Sequence, residues 1–563
     1  MIRSEKKFNK DIFMIFCLIL CGLISILYFI NLNGIGIMDK DEARYVETAR
    51  EMIELNDFIT PYFNYQLHLE KPILIYWAQA LSMKLFGINE FAARLPITLS
   101  GLLTVFLVYI FCLTVFNEYI AIISTLVLLT SLIFCALSRV STPDMLLTLG
   151  STGAILSFFL GYTQILNSHK KFKFQIETFS IWYLIAFLFL GIAFLAKGPL
   201  GILIPGIVLF PLFWWTRKLE YFYKNISFWA GSILFIIISS PWYIAVHKAT
   251  EGQFTKSFFW EDNLSRYTST LSGHDAPFFF YIPVVLVGFL PWSFFLIQAT
   301  VSLIKRGMHR LSDSVTLQAH WLSLWWAVIV FIFFTVSRTK LFTYILPLVP
   351  AMAILVSIWL WDLLNNKENK AGLTWGTGVF FFIAVIITLI CLFGFDTILI
   401  RELKGFKIDF ISLILLFILL IGTGMSYASS NKQVHLTFYI LMSTTFLFYS
   451  LIAIVFLPKA DQYIFKPSRI FVLSLPKDTT IGRFESVKPS FNFYAKKKIL
   501  DIESIKELNT LIIEEPKFAF TIKKNVFEKC KSKLNTNNLY LAGEDNRNAF
   551  YTNFEIKSGL LKE

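Results

Sequence analysis

The chain has 563 residues, of which 56% are hydrophobic and only 16% charged, with 60 phenylalanines and a formal charge of +13. That balance excludes a soluble globular protein, which needs polar surface to cover its core. It also argues against nucleic acid as a partner, because the basic residues are scattered through short loops, where they set the orientation of membrane spans.

The basic N-terminus, MIRSEKKFNK, precedes an apolar run from Ile12 to Leu32. The run is longer than a signal-peptide core and lacks an A-x-A-like site, so it is expected to remain as a first span. Further runs of about 20 apolar residues, each enough for a membrane-crossing helix, are predicted near 95–116, 119–137, 145–166, 180–196, 198–215, 227–247, 278–302, 318–336, 342–361, 374–394, 408–428 and 435–457, 13 spans in all. After Pro458 the sequence becomes charged, with β-type runs at Arg469–Leu475 and Thr510–Ile513 and a helical patch at Asn525–Lys533. The expected fold is therefore an all-α polytopic membrane protein over 1–457, followed by a small soluble α/β domain over 458–563. Four of the six cysteines (Cys17, Cys21, Cys112, Cys135) lie in apolar runs and none forms a C-x-x-C pair, so neither a disulfide framework nor a thiolate metal site is indicated.

With the N-terminus inside, the inner connections collect Lys170, Lys171 and Lys173; Arg217 and Lys218; Lys305, Arg306 and Arg310; Lys367 and Lys370; and Lys432, as the positive-inside rule requires. An odd number of spans then places the C-terminal domain outside. Two outer connections run against the rule. That near 395–407 holds Arg401, Lys404 and Lys407. The first outer loop holds Arg44, Arg50, Lys71, Lys84 and Arg94 interleaved with acids, which reads as a set of working residues.

That first loop contains MDKDEARYVETAR and LHLEKPILIYW. From Asp41, apolar residues fall at Tyr45, Ala49, Met52 and Ile53, one face of a helix. The opposite face carries Glu47, Arg50, Glu51 and Glu54, so the helix is expected to lie in the membrane interface. A second helix is expected from Pro72 to about Gly87. Asp41 and the Glu70–Lys71 pair would each sit at a helix start, where backbone N–H groups favour anions.

The unusual polar residues sort to the same outer side. Asp41 and Arg44, three apart on a helix, are close enough to touch; Asp41 is either a helix cap with an ion pair or a carboxylate that serves as base or substrate holder. Glu70-Lys71-Pro72 is either a polar turn or a cation-binding carboxylate beside a phosphate-binding ammonium. Asp144 follows Thr142-Pro143 at a span start, a common place for an acid. Lys197, in A-K-G-P, either snorkels or is held by the tight Gly-Pro re-entry after it. Arg266 and His274 stand among aromatics before a span, the histidine being an interfacial hydrogen-bonding residue or a metal ligand. Ser337-Arg338-Thr339-Lys340 joins two spans, and its cations either anchor the interface or meet an anion. Together these cations and carboxylates suit a phosphate-bearing lipid. No G-x-x-x-x-G-K-[ST], H-E-x-x-H or G-x-S-x-G occurs, so an activated group would arrive already activated, for instance on a lipid carrier.

DEARYVETAREM, LEKPILIYW, FGINEFAARLP, TPDM, LAKGPLG, the E-x-x-x-x-R-Y loop with H-x-A-P-F-x-x-Y-x-P, and SRTKLFTYILPLVPA occur in this order over residues 36–355. In these motifs the chain resembles the lipid A aminoarabinose transferase family, membrane-embedded glycosyltransferases of the C type related to protein O-mannosyltransferases. The resemblance implies 13 spans, a periplasmic C-terminal domain, and transfer of a sugar, by its likeness an amino sugar, from undecaprenyl phosphate to lipid A phosphate at the periplasmic face of the inner membrane. It implies Asp41, Arg44 and Asp144 as the catalytic set, with Asp41 the catalytic or substrate-orienting acid. Lys71, Arg266, Lys340 and Tyr344 would hold the carrier phosphate, and Lys197 would line the cavity with Asp144. Glu70 would be a metal ligand; Asn263 stands where a metal-binding histidine is expected, which puts a divalent metal such as zinc in doubt unless His274 substitutes. The expected chemistry is backside displacement at the anomeric carbon with a lipid phosphate leaving, its developing charge met by the cations. A phosphate acceptor would need little base catalysis, whereas a hydroxyl acceptor would make Asp41 a general base. Two other classes remain open: an oligosaccharide or protein O-glycosyltransferase of the same broad fold, and a transporter of lipid-linked sugar, against which stand charges at span ends and the lack of an internal repeat.

Overall fold

The computed structural model describes residues 10–167, 179–217, 219–260, 276–308, 314–365, 367–393, 410–486, 488–536 and 539–556. Among them are nine helices long and apolar enough to cross a membrane, or ten when one bent pair is taken as a single span. The first, α1 (Lys10–Leu27), buries Phe13, Cys17, Leu20, Ile24 and Leu27, a stripe at helical spacing, and leaves its other apolar residues exposed as lipid-facing surface. Five helices and a hairpin follow: α2 (Asp41–Leu55), the hairpin β1 (Tyr62–Phe63) and β2 (Gln66–Leu67), α3 (Leu74–Phe86), α4 (Glu90–Val115), α5 (Glu118–Leu129) and α6 (Leu132–Leu137). Then come α7 (Pro143–Asn167), α8 (Ile181–Lys197) and α9 (Leu200–Trp215). The apolar stretch Pro143–Leu166 is buried throughout and Phe342–Leu364 nearly so; these form the centre of the bundle. Ile226–Ala249, Ala371–Leu392 and Ser412–Ser430 are mostly uncovered apolar helices at its rim.

Two predicted spans are broken. The run 119–137 is split into α5 and α6, because the Thr130 and Ser131 hydroxyls bond back to the carbonyls of Leu126 and Leu128. The run 278–302 becomes Phe278–Gly288 and Trp292–Arg306, bent by 106°, around Pro291, which has no N–H to continue the helix. The two breaks meet. The Leu132 N–H donates to the Leu290 carbonyl at 3.3 Å, Trp292 Nε1 donates to Thr130 Oγ1 at 2.9 Å, and the Tyr449 hydroxyl donates to the Thr130 carbonyl at 2.9 Å. Polar backbone freed inside an apolar bundle is thus satisfied by protein.

α2 and α3 occupy the predicted stretches, but the charged face of α2 is not solvated. Glu47, Arg50 and Glu51 on its charged face are as buried as Ala49 and Met52 on the other. Arg50 accounts for this: its guanidinium bonds Glu47 at 2.7 and 2.9 Å and Glu54 at 2.5 Å, so the charges enter as pairs.

The C-terminal region holds a five-stranded sheet in the order β4-β3-β5-β7-β6, with β3 (Thr480–Phe484) parallel to β4 (Leu500–Ile502) and β5 (Phe518–Lys523), and β7 (Asn548–Thr552) antiparallel to β5 and β6 (Tyr540–Glu544). Leu508 and Ile512 cover one face with Phe518, Phe520 and Ile522; Phe471 and Phe491 cover the other with Phe550. The two predicted β-type runs are helices, Lys466–Ser474 and Ile505–Glu514. Their branched residues suit strands, but Ser468, Phe471 and Val472, and Leu508 and Ile512, are buried at helical spacing against the sheet, and that packing prevails over local propensity. The patch at 525–533 is helical, as expected.

Candidate active site

Four segments far apart in sequence meet at one end of the bundle. α2 begins at Asp41, which is exposed, and the next residue anchors the assembly. Glu42 is buried and receives four hydrogen bonds: two from Arg94, Nε at 2.8 Å and Nη2 at 2.8 Å, one from the Met38 N–H at 2.8 Å and one from the Ser141 N–H at 3.0 Å. Arg94 spends its other donors on the carbonyls of Leu32, Ile35 and Gly36, at 2.7–2.9 Å. The pair therefore fixes the turn before Asp41 and the turn before Asp144 at once. Arg94 and Arg50, grouped by sequence with the working residues, are structural.

Asp144 opens α7, and its Oδ1 lies 2.5 Å from Nζ of Lys197 at the end of α8. Both side chains are only 8% exposed, so the ammonium is held rather than snorkelling. The Gly-Pro re-entry explains why. Gly198 turns at φ +62°, and a Cβ there would fall 2.6 Å from the Phe258 ring. The same ammonium sits over the Tyr344 ring, 4.4 Å from its centroid. Tyr344 lies in the turn Phe342–Leu348, held from behind by Phe334 and by the Tyr281 hydroxyl, which donates to the Leu341 carbonyl at 3.0 Å.

Lys340 precedes that turn. Its buried ammonium donates to the Ser337 carbonyl at 2.6 Å and meets no carboxylate among the described residues. On the first loop, Arg44 pairs with Glu70 at 3.7 Å, not with Asp41 as helical spacing suggested, and the Lys71 ammonium bonds the Glu70 carbonyl at 3.0 Å. Tyr45 joins the two halves. It is buried against Tyr76, and its hydroxyl is pushed well up by burial and then by the neighbouring Asp41, Asp144 and Glu70 carboxylates. Arg266, His274 and Asn263 lie outside the described residues, as do the loop cations Lys170, Lys171, Lys173, Lys218, Arg310, Arg401, Lys404 and Lys407.

One neighbour escaped the sequence reading. His68 is buried between the rings of Phe63 and Tyr76, its Nε2 has no hydrogen-bond partner among the described residues, and burial holds its pKa at about 4 beside Glu70, Arg44 and Lys71. The imidazole is neutral at physiological pH. Only its place two residues before Glu70 could have signalled it. Glu42 and Arg94, 52 positions apart, offered no spacing signal.

The described residues do not gather a metal-ligand set. Among the described residues no three of His, Cys, Asp and Glu converge, and the Arg44 guanidinium lies against Glu70, the carboxylate proposed as ligand. Glu70, expected as a metal ligand, makes an ion pair with Arg44, and His274, the other expected ligand, lies outside the described residues.

A polytopic membrane protein with a charged site at the helix ends is the class that this fold and site define. Its fold is that of ArnT from Cupriavidus metallidurans: the crystal structure of that protein bound to undecaprenyl phosphate superposes with a TM-score of 0.79 at 20% identity, covering 97% of this chain and 99% of that one. The archaeal oligosaccharyltransferase AglB from Archaeoglobus fulgidus aligns more distantly, with a TM-score of 0.52 and 13% identity over 93% of this chain and 70% of that one. In sequence, residues 70–244 match the dolichyl-phosphate-mannose-protein mannosyltransferase family model. The chain is similar to undecaprenyl phosphate-alpha-4-amino-4-deoxy-L-arabinose arabinosyl transferases from Shewanella sediminis, 32% identical over 65% of this chain, and Pectobacterium carotovorum, 31% identical over 60%. The alignments span 64% and 58% of those relatives' own length.

Proposed function

We propose that this chain is a glycosyltransferase that moves 4-amino-4-deoxy-L-arabinose from undecaprenyl phosphate to a phosphate of lipid A at the periplasmic face of the inner membrane. The observation that carries the reading is the buried Lys340 ammonium, with no carboxylate partner among the described residues, at the turn whose Tyr344 covers the Lys197–Asp144 pair. A buried cation without a counter-ion favours an anionic ligand, and the similar transferases are named for a polyprenyl phosphate donor. Lys71 and Lys340 hold the donor phosphate and stabilise the charge it gains as the sugar leaves. Asp41, exposed at the mouth of the site, orients the sugar or the acceptor; Arg44, tied to Glu70, shapes the donor side. Asp144 sets the position of Lys197, which with Tyr344 lines the cavity. Arg266 serves the same phosphate.

Topology supports the same orientation. The first loop and the C-terminal sheet region touch, so an even number of crossings separates them. We take as crossings the nine long apolar helices, the bent pair and the shorter apolar helices α5, α8 and α9, in keeping with the 13 that the sequence predicts. With the basic N-terminus inside, the site and the C-terminal α/β domain, residues 458–563, face the periplasm. Mass spectrometry of lipid A from cells with and without the gene tests the function: aminoarabinose should appear with the gene, and transfer to protein or oligosaccharide alone would replace lipid A as acceptor.

A further inference from the structure

The residues that lead into the site are tied to the C-terminal sheet region at two places. At the first, the turn before Asp41 is bonded three times. Asp39 Oδ1 accepts the Ser490 N–H at 2.8 Å, the Ile37 N–H donates to the Tyr494 hydroxyl oxygen at 2.9 Å, and the Gly36 N–H donates to Asp461 Oδ1 at 2.7 Å. The Tyr494 hydroxyl in turn donates to Glu90 Oε1 at 2.9 Å, at the start of α4. The approach is close enough that a Cβ on Gly36 would lie 2.8 Å from Cβ of Phe465. At the second place the tip of the β1–β2 hairpin enters the C-terminal region. Asn64, 4% exposed, donates Nδ2–H to the Ile499 carbonyl at 2.8 Å, and its Oδ1 accepts the Ile499 N–H and Asn492 Nδ2–H, both at 2.8 Å.

The hairpin tip is shaped by these bonds. Asn64 and Tyr65 both have left-handed φ, 55° and 59°, as a two-residue type I′ turn requires. Asparagine tolerates that region and tyrosine seldom adopts it. Tyr65 is held there because its N–H donates to Glu51 Oε2 of α2 at 2.9 Å and its hydroxyl donates to Glu54 at 2.8 Å. The tip is thus gripped between α2 and the C-terminal region, and β2 runs directly on to Glu70 and Lys71.

We propose that the C-terminal region is a working part of the site, a two-point clamp that sets the spacing between Asp41 and the Glu70–Lys71 turn. One grip, through Ser490 and Tyr494, lies two and four residues before Asp41, at Asp39 and Ile37; the other, through Asn492 and Ile499, lies six residues before Glu70, at Asn64. Asn64 and Tyr494 are positioning residues: neither meets substrate, and each fixes the chain that carries a residue that does. For its activity readout the proposal rests on the glycosyltransferase reading above.

Two variants of the full-length chain test it, with Lys517→Ala as a control that breaks only the exposed Asp478–Lys517 pair. Asn64→Gly keeps the turn, because glycine adopts φ near +55° freely, and removes the grip. If Asn64 served only the turn, this variant would match or exceed wild type. The clamp predicts a fall in kcat/KM of about tenfold to a hundredfold, the scale expected when reacting groups are misplaced by about 1 Å, measured on protein shown to be folded and membrane-inserted. Tyr494→Phe keeps the ring and should lower kcat/KM in the same direction. Backbone hydrogen exchange should rise over residues 62–71 in the first variant and 36–45 in the second, while α7 and the control stay as wild type. Wild-type transfer by both variants overturns the clamp. If wild type itself fails to transfer aminoarabinose, the functional reading falls, and exchange alone decides the clamp: unchanged exchange in both variants overturns it.

Discussion

Glu42 and Arg94 form a doubly bonded, buried ion pair that joins the start of α2 to the start of α4 and, through the Ser141 N–H, to the start of α7. No other carboxylate of the first loop takes part in as many of the described hydrogen bonds. This pair, of which sequence groups only Arg94 with the working residues, is therefore the frame on which Asp41 and Asp144 are mounted.

Breaking that frame should cost stability before it costs chemistry. Arg94→Leu leaves Glu42 charged and buried without its partner, which costs about 3–5 kcal/mol. Arg94→Lys should rescue little, because a single ammonium cannot serve the five acceptors that the guanidinium reaches. Thermal unfolding of protein purified in detergent, with membrane abundance, checks this; wild-type melting of Arg94→Leu would show that the pair carries no stability.

Asp144 and Lys197 should behave as one unit. Lys197→Met and Asp144→Asn should each cut transfer strongly, while the double variant should lose far less than the sum, since either change alone leaves the other member of a buried pair unmatched. A double-mutant cycle on transfer rates measures the coupling. Additive losses would mean that the 2.5 Å contact does not matter to the reaction.

Lys71 and Lys340 are proposed to meet the same phosphate. Removing either should cost about 2–4 kcal/mol of transition-state stabilisation, roughly a hundredfold or more in rate, with Lys71→Arg retaining part of it. Folded, membrane-inserted Lys71→Ala and Lys340→Ala proteins that transfer at the wild-type rate would remove both residues from the site.

Two buried groups of the first loop should give stability opposite pH slopes. Burial, with Glu47 beside it, pushes the Glu51 carboxyl up to about 8 from 4.5. The folded state then holds a proton that the unfolded chain releases, so this contribution is full below about 4.5 and is lost as pH rises through about 8. His68 is the reverse: its pKa is held at about 4 against 6.5, so its contribution is full above about 6.5 and is lost as pH falls through about 4. Melting temperatures from pH 4 to 9 should show Glu51→Gln flattening the alkaline decline and His68→Phe flattening the acid decline.

Orientation can be read directly. A phosphatase reporter fused at the C-terminus should be active only when that end reaches the periplasm. Activity of a cytoplasm-specific reporter there would reverse the proposed orientation of the whole site.

Much of this molecule was legible in one dimension because a bilayer imposes a length and a composition on each crossing. The apolar runs marked the long helices, the Asp41 periodicity marked α2, and Gly87 marked the end of α3. The order of DEAR, EKP, TPDM, AKGP and SRTK was enough to name the residues around Tyr45 and Lys197. What sequence could not determine was pairing. Arg44 prefers Glu70 to the acid three residues away, and the charged face of α2 is buried because Arg50 neutralises it. The C-terminal β-type runs are helices because the sheet buries one side of each. The grips of Asn64 and Tyr494 on partners more than 400 residues away leave no trace in local spacing. Each of these depends on which groups are brought within about 3 Å of one another, and only the packed chain decides that.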